Sequence, residues 1–536
     1  MDPRTVALLL VTLVILAVGL DALLVAGWRR RKEGKPFWPP RLAGWMSGLI
    51  ARCRGLTDAA TAFRREGRAL LAEIRRDELK LLRLVVVLAC LLYSGSLGAA
   101  NVHSNMVPLW IPVTWLACIA VACVALAAPA APRLALTRSD LLLLIPLALA
   151  LFVRVAFLES VPSGLHTDEA NTATFTLHYI TPAAGSSYYP LRTGPDTQPT
   201  LFYYLVRLAL DAFGHSIAAL RAPSVLAGVL AVAVTYALIA VWQDRRTALM
   251  AALLLSTYHY HLHWSRIALN NIWDTVWVPL VLLGLVWGYR RNWSGGALLA
   301  GLALGFSQYF YVGSRVALLL VPWVFYHLWT QDGDRRKLLI HAGKLAAAAG
   351  VVALPLALFA LANPEIVLER AELNYTWVPA AIARYGESGW AFLRMAAEQA
   401  WLTFAGLTVL PDRSAFYGPG VPFLLGLSGV FFVAGLLWAV FRRQVLPLLW
   451  IAATLFFAAF LIPGPPHTSH TIAAVPALIW IVALPLRDLA RLGKPRLAWT
   501  LLVLLMLTDL AVYIAIIGTG GGEPAFSLPF PPVPAP

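Results

Sequence analysis

The sequence predicts an all-α polytopic membrane protein, and three observations carry that expectation. Of 536 residues, 60% are hydrophobic and only 13% charged, with a mean hydropathy of +0.72, whereas a soluble globular chain carries about 25% charged residues. Apolar runs such as Val6 to Trp28, broken only by Asp21, and Val225 to Trp242 have the roughly 20-residue length that crosses a hydrocarbon core of about 30 Å. The short alternating segments of a transmembrane β-barrel are absent, and no polar stretch is long enough for a large soluble domain.

About 14 such runs are expected, starting near residues 5, 83, 107, 140, 216, 247, 272, 296, 316, 338, 420, 445, 471 and 498. The first has only Arg4 ahead of it and no small-residue cleavage pattern, so it reads as a span and not a removed signal. The connecting segments then alternate in charge. Arg29 to Arg83, Arg133 to Arg138, Arg245-Arg246, Arg290-Arg291, Arg335 to Lys337, Arg442-Arg443 and Arg487 to Arg496 all fall on one side, which the positive-inside rule makes cytoplasmic. The 42 Lys+Arg against 27 Asp+Glu, a formal +15, thus sets topology and meets anionic lipid; no nucleic-acid partner is implied. The four cysteines show neither metal-type spacing nor a disulfide framework.

Three divisions are expected. Residues 1–138 form an N-terminal extension with about three spans, residues 139–517 a catalytic membrane core, and residues 518–536 a Pro/Gly-rich outer tail too poor in packing residues to fold alone. Between Arg29 and Arg83, basic and apolar residues recur at helical spacing, as in an amphipathic helix lying on a membrane surface; a solvated charged linker is the other reading.

The opposite, outer side holds the chemically varied residues: Glu159 to His215, Ser265 to Asn271, Gly313 to Arg315, Asn363 to Gly418 and Pro463 to His470. Past the fourth span comes His166-Thr167-Asp168-Glu169, just before a helical segment. Thr167 or Asp168 can simply cap that helix, with Glu169 favoured by its dipole. Equally, a carboxylate at the membrane surface is what takes a proton from an attacking hydroxyl. Arg154, one turn inside the fourth span, must pair or snorkel outward.

The first outer loop continues with Arg192, then Gln198-Pro199-Thr200-Leu201-Phe202-Tyr203-Tyr204, Phe213-Gly214 and Arg221-Ala222-Pro223-Ser224. The ordered series of an Asp-Glu pair, a proline step into an aromatic juxtamembrane helix, a Phe-Gly turn and an Arg-x-Pro-Ser helix start resembles the GT-C superfamily. Within it, the protein O-mannosyltransferase and lipid A aminoarabinose transferase group is most similar, over residues 140–490. The resemblance implies a bundle with outer juxtamembrane helices and an inverting hexosyl- or pentosyltransferase of the cytoplasmic membrane. It would move a sugar from a polyprenyl-phosphate carrier to a glycan, lipid or protein acceptor, with its site facing the outside or periplasm. Nucleotide sugars are not available there, so a lipid-borne donor fits the topology.

By the same resemblance Asp168 is the general base and Glu169 orients it or binds sugar. The donor phosphate needs cationic or hydrogen-bonding partners for its growing charge; Arg315, Arg266, Arg192, His467 and His470 are the candidates. For substrate binding they are His166, Asn270, Asn271, Asp274, Tyr309 and Tyr311. The chain departs from the family pattern at Asn270, where relatives often have Asp, and at Gln198, where many have a basic residue. Each assignment has a structural alternative: interfacial anchoring for Arg266, Arg315 and the tyrosines, and a helix start for the histidines. His259, His261 and His263 cannot share a helical face at a spacing of two, so interfacial packing is expected of them and no metal site is assigned. Carboxylates suit a hard divalent cation, so a metal near Asp168 and Glu169 is conceivable, but a clear two-acid cage is missing and no cofactor is assigned. The aromatic-rich segment Asn363 to Gly418 is the candidate for acceptor recognition. The rival class is a membrane transporter or lipid-linked glycan flippase, which would place its ionisable residues near mid-membrane.

Overall fold

The structure, a computed structural model, describes residues 61–103, 107–128, 138–180, 200–365, 377–386, 389–411, 420–462 and 468–517, with the isolated positions 132, 186, 187 and 464. The chain divides into two compact units, Met1–Asp77 and Glu78–Pro536. Of the first, a helix over residues 61–76 is described. The second is a helical bundle: α1 (Glu78–Ala100), α2 (Trp110–Leu126), α3 (Leu144–Val155), α4 (Thr167–Tyr179), α5 (Leu201–Phe213), α6 (Ile217–Trp242), α7 (Arg245–Thr257), α8 (His259–Trp264), α9 (Asp274–Arg290), α10 (Gly295–Ser307), α11 (Ala317–Asp332), α12 (Arg335–Ala362), α13 (Trp377–Tyr385), α14 (Gly389–Thr408), α15 (Gly426–Phe441), α16 (Val445–Leu455), α17 (Val475–Arg491) and α18 (Pro495–Ile517). Among the described residues one two-residue pairing, Val107–Pro108 against Ser186–Ser187, joins the α1–α2 connection to the segment between α4 and α5.

The chain is an all-α integral membrane protein. Among the described residues seven helical stretches are long and apolar enough to span a bilayer, including α1, α6, α12 and α18, and five shorter apolar helices accompany them. The expected span near residue 5 and the Pro/Gly-rich tail lie outside the described residues.

Local chemistry explains where the helices start. Ser216 accepts the Ala219 N–H at 3.1 Å to open α6, and the Glu159 carboxylate takes the next two amides, Ile217 at 3.2 Å and Ala218 at 2.7 Å, an anion placed on the positive end of the helix dipole. Asp244 opens α7 and Asp334 opens α12 in the same way, each through an N–H at 2.9 Å. In the bundle α10 lies between α9 and α12, α6 packs on α7 and α9, and α1 packs along α12. The α9–α10 contact depends on small residues. A Cβ on Gly288 would stand 2.6 Å from the Gly296 Cα, and one on Gly296 would stand 2.4 Å from the Gly284 carbonyl oxygen. Gly284-x-x-x-Gly288 therefore lets two backbones approach as membrane helices do when small residues line the seam.

Candidate active site

Helix α4 begins at the Asp-Glu pair, and its cap separates the two carboxylates. His166 is the N-cap: its Nδ1 accepts the Asp168 N–H at 3.1 Å, and its own N–H donates to Glu169 at 3.2 Å. This reciprocal box satisfies two orphan donors of the first turn. It turns Glu169 inward, 1% exposed, and leaves Asp168 exposed at the positive end of the helix. His166, expected to bind substrate, is thus used as the cap.

Glu169 is held on all sides. Arg221 Nε lies 2.9 Å from Oε1 and Arg221 Nη2 3.1 Å from Oε2, and the Ala268 N–H donates to Oε1 at 2.9 Å. Arg221, with no exposure, also donates to the carbonyls of Leu158, Pro162 and Gly164 at 3.1, 3.1 and 2.7 Å. A forked guanidinium suits this task because its five donors leave in one plane. Three residues later Ser224 donates to the Leu269 carbonyl at 3.3 Å. The Arg-x-Pro-Ser start of α6 therefore ties the segment before α4 to the one before α9, and both Glu169 oxygens are engaged by protein donors.

The second centre forms where three 3-10 turns meet at the start of α9. The turn Thr468–Ala474 touches both Asn270–Trp273 and Val312–Val316, and all three touch α9. Asp274, the first residue of α9, is fully buried against the second of them: a Cβ on Gly313 would stand 2.2 Å from Asp274 Oδ2, so a larger residue there would have to displace the carboxylate or the turn. Arg315, exposed, lies within electrostatic reach of that carboxylate. The Tyr311 hydroxyl is 3.1 Å from His470 Nδ1. Asp274, Arg315, Tyr311 and His470 are thus brought together from sequence positions far apart, and Glu169 joins the Asp168 helix to Ala268, two residues before Asn270.

Other expected site residues are structural. Arg266, 2% exposed, donates Nε and Nη2 to the Val161 carbonyl at 3.2 and 2.8 Å and Nη1 to that of Val153; it faces the backbone at the end of α3 and just beyond it, which speaks against its assignment to phosphate. The Asn270 amide donates to the Phe310 carbonyl at 2.8 Å, and Asn271 is 8% exposed beside it. Tyr309 is buried against Trp115 and donates to the Val352 carbonyl at 2.7 Å, so it ties α2, α10 and α12 and does not face a substrate. Arg192 and His467 lie outside the described residues.

Arg154 neither pairs with the Asp-Glu loop nor snorkels. It is fully buried and donates to the carbonyls of Ser256 at 2.8 Å and Leu255 at 3.4 Å, at the negative end of α7, with His261 Nδ1 2.9 Å away. A buried cation at a helix C-terminus is held by dipole and hydrogen bonds together. The three histidines part company: His259 meets the Phe423 carbonyl at 3.2 Å, His261 the Thr275 hydroxyl at 3.1 Å, and His263 faces the Tyr513 ring. Among the described residues no three His, Cys, Asp or Glu gather as a metal site.

Arg221 is the residue that sequence reasoning missed in role. The motif containing it was legible, and an arginine just inside a span needs a partner, but which carboxylate supplies it is a fact of packing.

Three comparisons with known proteins bear on the chain as a whole. Residues 197–362, just under a third of the chain, match the family model described as dolichyl-phosphate-mannose-protein mannosyltransferase. Two Pseudomonas aeruginosa proteins, each named undecaprenyl phosphate-alpha-4-amino-4-deoxy-L-arabinose arabinosyl transferase, are 33% identical over 169 residues and 34% over 170. In each case the match covers 30% of this chain and 30% of the relative. Among solved structures, the Archaeoglobus fulgidus oligosaccharyltransferase with zinc and sulfate gives a TM-score of 0.48 at 16% identity, covering 72% of this chain and 54% of that one. ArnT from Cupriavidus metallidurans bound to undecaprenyl phosphate gives 0.43 at 16%, covering 70% and 64%. The family-model match and the aminoarabinose-transferase relatives support the resemblance of this chain to the GT-C superfamily of membrane glycosyltransferases.

Proposed function

We propose that the chain is an inverting glycosyltransferase. It moves a sugar from a polyprenyl-phosphate carrier to an acceptor at the outer side of the cytoplasmic membrane. The observation that carries this reading is the division of labour in the Asp-Glu pair: Asp168 is exposed while its neighbour is locked against Arg221 and Ala268. A base must be held still yet reach its substrate, and this pair meets both conditions.

In the proposed reaction the Asp168 carboxylate accepts the proton of the acceptor's nucleophile. The new bond forms at the anomeric carbon on the face opposite the phosphate; the bond from that carbon to the phosphate oxygen breaks, and the electron pair leaves with polyprenyl phosphate. A phosphate is a weak base, so its departure needs stabilised charge and no proton donor. Arg315 supplies a forked cation, and the Tyr311–His470 pair supplies polar hydrogens beside it. The basic clusters on the opposite side of the span count support the outward placement of these groups. The family-model match does not favour the transporter or flippase alternative.

The test is transfer of radiolabelled sugar from synthetic polyprenyl phosphates to membrane acceptors, offering both a pentose and a hexose donor. Asp168→Asn should bind donor as the wild type does and transfer at least about a hundredfold more slowly, the usual contribution of a positioned base. Unchanged transfer by that variant would remove the base assignment.

A further inference from the structure

The helix over residues 61–76 sorts its side chains by face. Arg64, Arg65, Arg68, Leu71, Arg75 and Arg76 are exposed, and they recur every three to four residues, the spacing of one helical face. Phe63, Glu66, Leu70, Glu73 and Ile74 are partly covered and lie on the other side. The exposed face thus carries five arginines, no acid, and one large apolar side chain, Leu71, at 51% exposure.

We infer that this face binds the anionic lipid headgroups of the bilayer that α1 enters. Charge complementarity selects the occupant, since arginine forks pair with phosphodiesters and each arginine near an anionic membrane surface strengthens attraction about fivefold. Chain continuity supplies the location. Arg76 stands two residues before Glu78, where the spanning helix α1 begins, and two residues reach about 7 Å at most. Chain continuity therefore tethers the C-terminal end of the basic face to the head of a membrane-spanning helix. Leu71 then enters the headgroup layer between the arginines, as apolar side chains of surface-lying helices do. The inference does not depend on the catalytic reading, because none of these residues belongs to the candidate site.

The test uses the full-length protein in nanodiscs of phosphatidylcholine alone or of phosphatidylcholine with phosphatidylglycerol, read by backbone amide exchange. Amides of residues 61–76 should exchange about tenfold more slowly in the anionic discs, a local protection of the kind lipid docking gives. Salt at about 0.5 M should abolish the difference, because screening cuts the attraction of exposed charges. Replacing the five arginines with glutamine should abolish it too, with exchange in α1 unchanged as the control for folding. Equal exchange in the two lipids would overturn the inference, as would slowing that survives salt or the glutamine replacements. Should the glutamine variant fail to fold, the lipid and salt comparisons on the wild type decide alone.

Discussion

Arg221→Ala tests the tether on which the candidate site is built. Arg221 and Glu169 are 0% and 1% exposed as side chains, with Nε 2.9 Å from Oε1. Removing the cation leaves a carboxylate buried without its counter-charge, a change that costs about 3–5 kcal/mol. Three backbone carbonyls, of Leu158, Pro162 and Gly164, lose a donor as well. The thermal midpoint of the detergent-solubilised protein, followed by size exclusion after stepwise heating, should fall by about 5–10 °C. Sugar transfer should fall with it even where the variant stays folded, because the Asp168 turn is released. The double variant Glu169→Gln/Arg221→Ala should recover part of the stability, since no uncompensated charge remains, and its loss should be smaller than the sum of the two single losses. A wild-type midpoint for Arg221→Ala, or strictly additive losses, would refute the argument that this pair locks the loop. Asp168→Asn supplies the contrast: its side chain is exposed, so stability should stay within about 0.5 kcal/mol of wild type while transfer is lost.

Gly313→Ala should displace either the Asp274 carboxylate or the turn bearing Arg315, because the added Cβ would overlap Oδ2; weaker donor binding, measured as a raised KM for polyprenyl-phosphate sugar, is expected, and an unchanged KM would show that the turn yields without moving Arg315. Asp244 offers a pH test. Burial raises its carboxyl, but the Thr247 amide and hydroxyl, Arg487 and Arg491 outweigh this and hold it below the ordinary value of 3.8. Its contribution to stability is therefore complete above that value and is lost as pH falls through the lowered one, so Asp244→Asn should flatten the acid limb of a stability–pH curve; superimposable curves would contradict it. Finally, a cysteine introduced at Ser186 in the first outer loop should react with an impermeant thiol reagent in intact cells, and reaction only after lysis would reverse the topology.

Several of these residues show where the amino-acid pattern stopped being informative. Asp168, Tyr311, Arg315 and His470 are candidates because the family resemblance points to their positions, and charged or polar groups at the ends of apolar runs are costly without a use. Arg266 and Tyr309 matched the same description and were taken up by the carbonyls of Val161 and Val352. Type and spacing are identical for a residue that faces a ligand and one that faces its own backbone; only the direction of the side chain distinguishes them. Arg154 illustrates the point further, because its partners at the end of α7 are main-chain oxygens, which every sequence has everywhere.

The sequence by itself determined the solvent, the helical class, the alternation of basic segments and the neighbourhood of the Asp-Glu pair. These follow from composition and run length, because hydrocarbon demands long apolar helices whose backbone groups are satisfied internally. Tertiary structure alone decided that Glu169 is bound and Asp168 exposed, that Arg221 is the clamp, and that Asp274 meets Gly313. Each of these depends on which helix ends touch, and such contacts join residues dozens of positions apart through geometry that no local pattern encodes.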